Sequence, residues 1–422
     1  MHAILTSIGT DGDIIPYVGI GAELRRRGHR VTLAVAEPWQ STAAELGLEF
    51  SPIFTAEEDR QMLAMPDFWH PIKGPQILAR WGAQFFNRQY LQLADLCKSP
   101  DSVLIANPGL IPARVVSEKL RTPLAHLILQ PWMIKSSIAP PVMPAGLTLP
   151  RWAPRMMSWG YWRVLNLVGD LLLGKELNRL RHTLGMQPVH RVFDWWLSEQ
   201  MVIGMFPEWY GQRQADWIAH VRLAGFPMFD GRPSAGLSPE LEAFCREGEP
   251  PIVFTFGTGM MHGHALFQAA VETCAMLGKR GILLSRHTSQ LPDPLPATIC
   301  WQAFAPFQEL FPHCAAVVHH GGIGTTAKAL ASATPQLIVP IAYDQLDNAT
   351  RIKRLGVGNR VRSRKLHSAR LAPALAALLS SDVKRTCITM AAKFNSDEGV
   401  SRAAGWIEEF ALTHAVPSGR SA

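Results

Sequence analysis

The stretch that most constrains this chain runs from Phe304 to Asn348. At its centre stands AAVVHHGGIGTT, an apolar run followed at once by two histidines and three glycines. Residues 315–318 predict a buried parallel strand, 321–324 a tight turn and 325–333 a helix. A strand, a Gly-rich turn and a helix start make an anion site. Bare backbone N–H groups point outward there, and the helix dipole favours negative charge. A second strand, 336–339, ends at Pro340, and Asp344 and Gln345 follow directly. Open α/β sheets bind ligands at that end of a strand. A Gly-rich turn alone is weak, because packed glycines in an ordinary turn would read the same way.

The rest of the chain repeats this alternation. Residues 2–8 predict a strand, Gly9 to Gly12 a turn, and Asp13 precedes a helix with Ile14, Val18 and Ala22 on one face. Arg25, Arg26 and Arg27 crowd the helix end and Gly28 stops it. With a strand at 31–36 this is a βαβ unit, which implies a parallel sheet. Signals are poor from 45 to 67, and a helical pattern resumes around 77–96. Strands follow at 102–106, 124–129, 202–205 and 220–223, with helices near 113–120 and 175–184. The Pro-rich residues 139–150 read as a loop. A second series starts at Pro251: strands at 252–256, 281–285 and 298–301, a helix ending at Leu277, an exposed basic loop at 360–365, and helices at 369–379 and 400–412. Length decides the partition, because 422 residues suffice for two domains of ordinary size. The expected bounds are 1–225 for the first domain, 226–250 for a linker, 251–395 for the second, and 396–422 for a final helix and tail. The fold class is α/β.

The net charge of +7 is not evenly spread. Between Arg151 and Arg191, seven Lys/Arg face only Asp170 and Glu176, a local net of +5. Trp152, Trp159, Trp162, Trp195 and Trp196 share that region. A basic, Trp-rich surface suits an anionic membrane or an amphipathic acceptor more than a nucleic-acid groove. The competing reading is a solvated helix face over core aromatics. The six cysteines have neither zinc nor redox spacing, so free thiols in a reducing compartment are expected. The chain enters a strand with no basic leader, and the best apolar run, 164–173, is too short to span a bilayer. A cytoplasmic protein, peripheral to the membrane, is the expectation.

Phe304, Pro306, the His-Gly-Gly-x-Gly-Thr-Thr core and Asp-Gln-x-x-Asn-Ala stand at the spacing of a nucleotide-sugar donor signature. On these residues the chain resembles family-one glycosyltransferases of the GT-B fold. The likeness extends from MHAIL…IG…GD through GFPMFDG to HHGGIG and DQLDNA. It implies two Rossmann-like, doubly wound domains facing across a cleft, acceptor-binding first and donor-binding second, with the final helix crossing back. It further implies metal-independent, inverting transfer of a hexose or 6-deoxyhexose from a dTDP- or UDP-sugar to a hydroxyl of an apolar, lipid-like acceptor. The nucleotide sugar is then a co-substrate, with no cofactor and no nucleic-acid partner.

Such transfer needs a stabilised leaving diphosphate, a deprotonated acceptor hydroxyl and a sugar held in line. The resemblance assigns the diphosphate to His320 with the N–H groups of Gly322, Gly324, Thr325 and Thr326, His320 acting as hydrogen-bond donor or positive charge. Thr258 is a second phosphate contact. Phe304 would stack on the base, and Asp344 and Gln345 would bind sugar hydroxyls. Asp13 is the catalytic base, standing in Gly12-Asp13-Ile14-Ile15-Pro16 where many relatives carry histidine; Asp11 is second choice. Trp132 and the basic Trp-rich segment would face the acceptor. The plainer alternatives are an N-cap for Asp13, core packing for Phe304 and His319, and a turn for Asp344. One departure bears on the donor: relatives using UDP-sugars carry Glu four residues after Gly324, where this chain has Lys328. Lacking a partner for a ribose 2′-hydroxyl, the site suits a deoxyribose. Rival functions are transfer to a soluble natural-product aglycone, a non-catalytic GT-B binding module, and a nucleotide-sugar epimerase.

Overall fold

The computed structural model describes residues 1–65, 67–143, 147–150, 152–230, 236–257, 260, 263–363, 366–394 and 398–414. The chain divides into two compact units, Met1–Pro141, Ala145–Gly231 and Asp397–Ala422 forming one, Val142–Pro144 and Arg232–Ser396 the other.

In the first unit the described residues form a parallel sheet of seven strands. They are β1 (His2–Thr6), β2 (Arg30–Ala34), β3 (Glu49–Phe50), β4 (Ser102–Ala106), β5 (Leu124–Ile128), β6 (Met201–Gly204) and β7 (Val221–Leu223). Their order is β3-β2-β1-β4-β5-β6-β7, and His2 stands opposite both Arg30 and Ser102. Every residue of β1, β4 and β5 is buried, so these strands read as apolar runs rather than alternating patterns. The order reverses between β1 and β4. Loops leaving the carboxyl ends of those strands diverge, and ligands of doubly wound sheets settle there. The helix Asp11–Arg26 buries Ile14, Tyr17, Val18, Ile20 and Leu24, and the Tyr17 hydroxyl donates to the Leu127 carbonyl at 3.1 Å.

Sequence expectations fail where local signals mislead. The poorly marked residues 45–67 hold β3 and a helix, Ala56–Ala64, opened by a Thr55–Glu58 capping box. The pattern at 77–96 is two helices, Lys73–Ala83 and Phe86–Leu96. The basic segment forms a helix, Arg155–Gly169, that runs through a π-turn, Asp170–Gly174, into a further helix, Lys175–Thr183. Its tryptophans do not share one surface. Trp162 is buried and donates to the Ser136 carbonyl at 3.0 Å. Trp195 donates to Glu118 at 2.6 Å, with the Arg114 and Arg181 guanidinium groups over its ring. Trp196 packs edge-on against Phe193. Trp152 and Trp159 alone of the five are exposed, at 79% and 60%.

The second unit carries a parallel sheet of six described strands: β8 (Ile252–Thr255), β9 (Gly281–Leu284), β10 (Ile299–Gln302), β11 (Ala316–His319), β12 (Gln336–Ile338) and β13 (Gly358–Arg360). Their order is β10-β9-β8-β11-β12-β13, which reverses between β8 and β11. Much of the stretch read as a linker belongs to this unit. Helix Pro239–Arg246 buries Leu241 and Cys245 in its core, a short apolar face masked in sequence by the flanking Gly and Pro. Edge strand β13, for which no strand was expected, ends at Arg360, the first residue of the expected basic loop. The last helix, Glu398–His414, belongs to the first unit. It buries Ala403, Ala404, Ile407 and Phe410, and Glu408 accepts from Arg27 at 2.8 Å and pairs with His29 at 2.7 Å. All six cysteines are buried free thiols. Among the described residues no helix is long and apolar enough to cross a membrane, and no three His, Cys, Asp or Glu side chains gather as metal ligands.

Candidate active site

At the switch point of the first sheet the chain leaves β1, turns through Gly9 at φ 130° and enters its helix. Asp13 is the third helical residue, not the cap; Thr10 holds the cap position. Asp13 Oδ2 accepts the Thr10 N–H at 2.9 Å and the Thr10 hydroxyl at 3.2 Å, the return bond of a capping box. The Ser7 hydroxyl donates to the Asp13 carbonyl at 2.9 Å. A Cβ on residue 9 would lie 2.3 Å from Oδ2, so both space and φ require glycine there. Burial pushes the Asp13 carboxyl up to about 6; the Thr10 bonds oppose this and the Asp11 charge adds to it. A half-buried carboxylate titrating near neutrality suits a general base. Asp59, for which the sequence offers no signal, is likewise raised to about 6 by burial and by Asp11. Trp132 is half-exposed in the turn Pro131–Met133 after β5, so it and Asp13 follow the carboxyl ends of strands in one parallel sheet.

The second switch point holds the donor motif. Gly321, at φ 98°, turns the chain, and Gly322 caps the helix Ile323–Ala331. The first bond of this helix runs from the Thr326 N–H to the Gly322 carbonyl at 3.0 Å. The amides of Ile323, Gly324 and Thr325 precede it and have no carbonyl one turn back. Thr326 therefore does not supply a free amide as expected, and its side chain is wholly buried. A Cβ on exposed Gly324 would meet nothing within 4 Å, so space over the turn is open.

His320 is seated by two glycines. A Cβ on Gly257 would lie 3.1 Å from its Cε1, and one on Gly322 2.6 Å from its Nε2. Its Nδ1 is closed off from solvent, and no hydrogen bond of good geometry reaches it among the described residues, although the Thr255 backbone lies close enough to oppose the effect of burial on the ring. Burial lowers its pKa to about 4, so at neutral pH it is an uncharged hydrogen-bond donor; the free protein does not present the positive charge. His319 packs instead. Its Nδ1 accepts the Gly321 N–H at 3.2 Å, its Nε2 meets Gln336 Oε1 at 3.1 Å, and the Gln336 amide donates to the Thr326 carbonyl at 3.3 Å.

After β12, Tyr343 adopts φ 55° and Asp344 caps the helix Gln345–Leu355. Gln345 is buried, and its Oε1 accepts the N–H groups of Ile341 at 2.7 Å and Ala342 at 3.0 Å. Its carbonyl braces the loop, and its amide nitrogen takes no part in those two bonds. Asn348, given no role from sequence, is fully buried and donates to the Gly321 carbonyl at 2.9 Å and to Asp344 Oδ2 at 2.7 Å. It ties the glycine turn to the Asp344 loop. Phe304 is 59% exposed after β10, so it is not a core residue. Lys328 is buried with its ammonium 5.7 Å from the Phe307 ring centre. Thr258 lies outside the described residues. Gln290, also missed, holds the loop after β8 by accepting the Gly263 N–H at 3.0 Å and donating to the Met260 carbonyl at 2.6 Å.

Residues 3–138 match the glycosyltransferase family 28 N-terminal domain, and residues 281–402 the erythromycin biosynthesis protein CIII-like C-terminal domain. Glycosyltransferase GtfE of Amycolatopsis orientalis is 28% identical over 371 residues, 85% of each chain. Sterol 3-beta-glucosyltransferase UGT80A2 of Arabidopsis thaliana is 27% identical over 434 residues, 96% of this chain and 64% of that one. O-mycaminosyltylonolide 6-deoxyallosyltransferase of Streptomyces fradiae is 26% identical over 445 residues, 98% of each. Among solved structures, the spinosyn forosaminyltransferase SpnP superposes with a TM-score of 0.70 at 16% identity, covering 98% of this chain and 99% of that one. Glycosyltransferase VinC in complex with dTDP gives 0.64 at 16%, covering 98% and 100%. The fold and the matched relatives together define a glycosyltransferase of the GT-B fold. The chain is similar to family-one glycosyltransferases, its first part to the family-28 N-terminal domain and its later part to the EryCIII-like C-terminal domain.

Proposed function

We propose that this chain transfers a hexose or 6-deoxyhexose, rhamnose-like, from a dTDP-sugar to a hydroxyl of an apolar, lipid-like acceptor, with inversion. The carrying observation is the seat of His320 between Gly257 and Gly322, beside the open helix start at the second switch point. There the His320 Nε2–H and the amides of Ile323, Gly324 and Thr325 stabilise the departing diphosphate. Asp13 takes the acceptor proton as the acceptor oxygen bonds to the anomeric carbon and the bond from that carbon to the diphosphate oxygen breaks. The products are a glycoside and dTDP, and the nucleotide sugar is the only co-substrate. Phe304 stacks on the base, while Asp344 and the Gln345 amide bind the sugar. Thr258 adds a phosphate contact.

Three features favour dTDP over UDP: Lys328 replaces the ribose-binding Glu, VinC was solved with dTDP, and the tylonolide relative is a deoxysugar transferase. An apolar acceptor beside Trp132 is supported by the sterol-transferase relative. The motifs also resemble those of the bacterial rhamnosyltransferase of rhamnolipid synthesis, which accords with a peripheral position at the inner membrane. Relatives such as the tylonolide transferase favour a second reading, a soluble natural-product aglycone. The test is nucleotide release from dTDP-rhamnose, dTDP-glucose and UDP-glucose, with a hydroxy fatty acid or a small polar alcohol as acceptor. The proposal expects the dTDP donors and the fatty acid to lead. A strong UDP preference contradicts the donor assignment, and faster turnover of the polar alcohol contradicts the acceptor.

A further inference from the structure

The helix Arg155–Gly169 reverses the usual distribution of polarity. Its buried side includes Ser158 and Asn166 beside Trp162. Asn166 is held there, its Nδ2 donating to the Trp162 carbonyl at 3.1 Å and its Oδ1 accepting the Asp194 N–H at 3.2 Å. The outward side is mainly apolar, with Arg163 set among the apolar side chains. Met156 is 79% exposed, Trp159 60%, Val164 60%, Leu167 59% and Leu171 75%. Spaced three to five apart, these residues form one stripe. The Arg163 guanidinium lies 4.6 Å from the Trp159 ring centre. An apolar stripe of this length left facing water marks an interaction surface.

The stripe ends in a basic pocket of about 450 Å³, whose walls include Arg80, Leu171, Leu172, Lys175, Glu176 and Arg179. Glu176 pairs with Arg179, which leaves the pocket a net positive charge. The intervening π-turn, Asp170–Gly174, takes more residues per turn than an α-helix and sets the next helix back in phase. Lys175 and Arg179 thereby line the same pocket as Leu171. Residues 155–169 contain no acidic side chain. The Asp170 carboxylate is committed to the N–H groups of Arg191 at 3.0 Å and Val192 at 2.9 Å.

We infer that this stripe and its pocket dock the protein on an anionic phospholipid surface, the apolar side chains entering the interface and the pocket receiving a phosphate-bearing head group. Charge selects this occupant. A two-fold contact with a second copy would set the basic rim against itself, whereas an anionic bilayer complements it. The inference deepens the apolar-acceptor reading, on which it rests, by naming the surface from which such an acceptor is drawn.

The experiment is flotation of the full chain with phosphatidylglycerol-containing or pure phosphatidylcholine vesicles, across a salt series. Binding to the anionic vesicles alone, weakened by salt, is expected. Leu167→Glu with Leu171→Glu should abolish it. Arg80→Gln with Lys175→Gln and Arg179→Gln should weaken it on the order of tenfold. All five positions lie outside the core, and both variants should keep wild-type melting and wild-type dTDP affinity. The inference is overturned if anionic vesicles bind no protein at low salt, if both variants bind as wild type, or if the stripe instead mediates a concentration-dependent dimer that the Leu substitutions disperse. Flotation without nucleotide release from any donor would sink the transfer reading and still support docking.

Discussion

Asp13 keeps its proton to about pH 6 because its carboxylate is desolvated at the start of a helix. Turnover should therefore fall as pH drops through about 6, and a pH–kcat/KM profile should show that acid limb. Stability follows the opposite sign. The folded carboxyl holds its proton more tightly than the unfolded one at 3.8, so this group's contribution declines as pH rises from the unfolded value through the folded one. Asp13→Asn keeps an oxygen for Thr10 and removes the desolvated charge, so its Tm at neutral pH should be no lower than wild type; a clear drop with turnover unchanged would leave the residue only its part in the capping box. His320 gives a steric test. Gly322 has φ −60° and ψ 141°, which alanine adopts freely, yet its Cβ would lie 2.6 Å from His320 Nε2. Gly322→Ala should fold normally and weaken dTDP binding about 10- to 100-fold, the range expected for losing a hydrogen bond to a charged group. Unchanged calorimetric affinity would show that the ring does not meet the diphosphate. The sequence made these two residues legible because each stands in a turn with a recognisable spacing. It could not show that the Thr326 amide is used within its own helix, or that the Gln345 carbonyl is spent on the loop, since both depend on where a neighbouring backbone group points.

The element that organises the donor half is the glycine turn between β11 and its helix, with two braces. His319 holds the turn from below through Gln336, and Asn348 holds it from the side. Asn348→Ala removes the bonds to the buried Gly321 carbonyl and to Asp344 Oδ2, at about 1–3 kcal/mol for the carbonyl left buried and unsatisfied. A lowered Tm together with weaker donor binding is the expected outcome, whereas a Tm within error of wild type would show that the brace is dispensable. Strands such as β4 could be read directly, because one buried on both faces is a plain apolar run. Helix phase was less accessible. The π-turn at Asp170–Gly174 has no residue signature of its own, so the sequence predicted one short helix where helix, π-turn and helix run on. The expected surface of five tryptophans likewise split, because Trp162, Trp195 and Trp196 found hydrogen-bond or ring partners across the fold.

For the molecule as a whole, the proposed function divides chemistry between units that fold around separate sheets, with base and acceptor contacts assigned to the first and donor contacts to the second. Two doubly wound units follow from the alternation of strands and helices. Their assignment to sugar transfer came from the motif at Phe304–Asn348, since the fold alone serves many chemistries. The helix Pro239–Arg246 was lost in the expected linker, because Pro and Gly on either side outweigh two apolar residues in any local reading. The division of labour makes a direct demand: a change at Asp13 must leave the donor half intact. The measurement is Asp13→Asn, assayed for dTDP release from dTDP-rhamnose with a hydroxy fatty acid, and for dTDP affinity by calorimetry. The account predicts an unchanged Kd for dTDP with kcat lowered by roughly 10²–10⁴, the range for a positioned general base. Turnover near wild type, or a kcat loss that simply tracks lost dTDP binding, would contradict it.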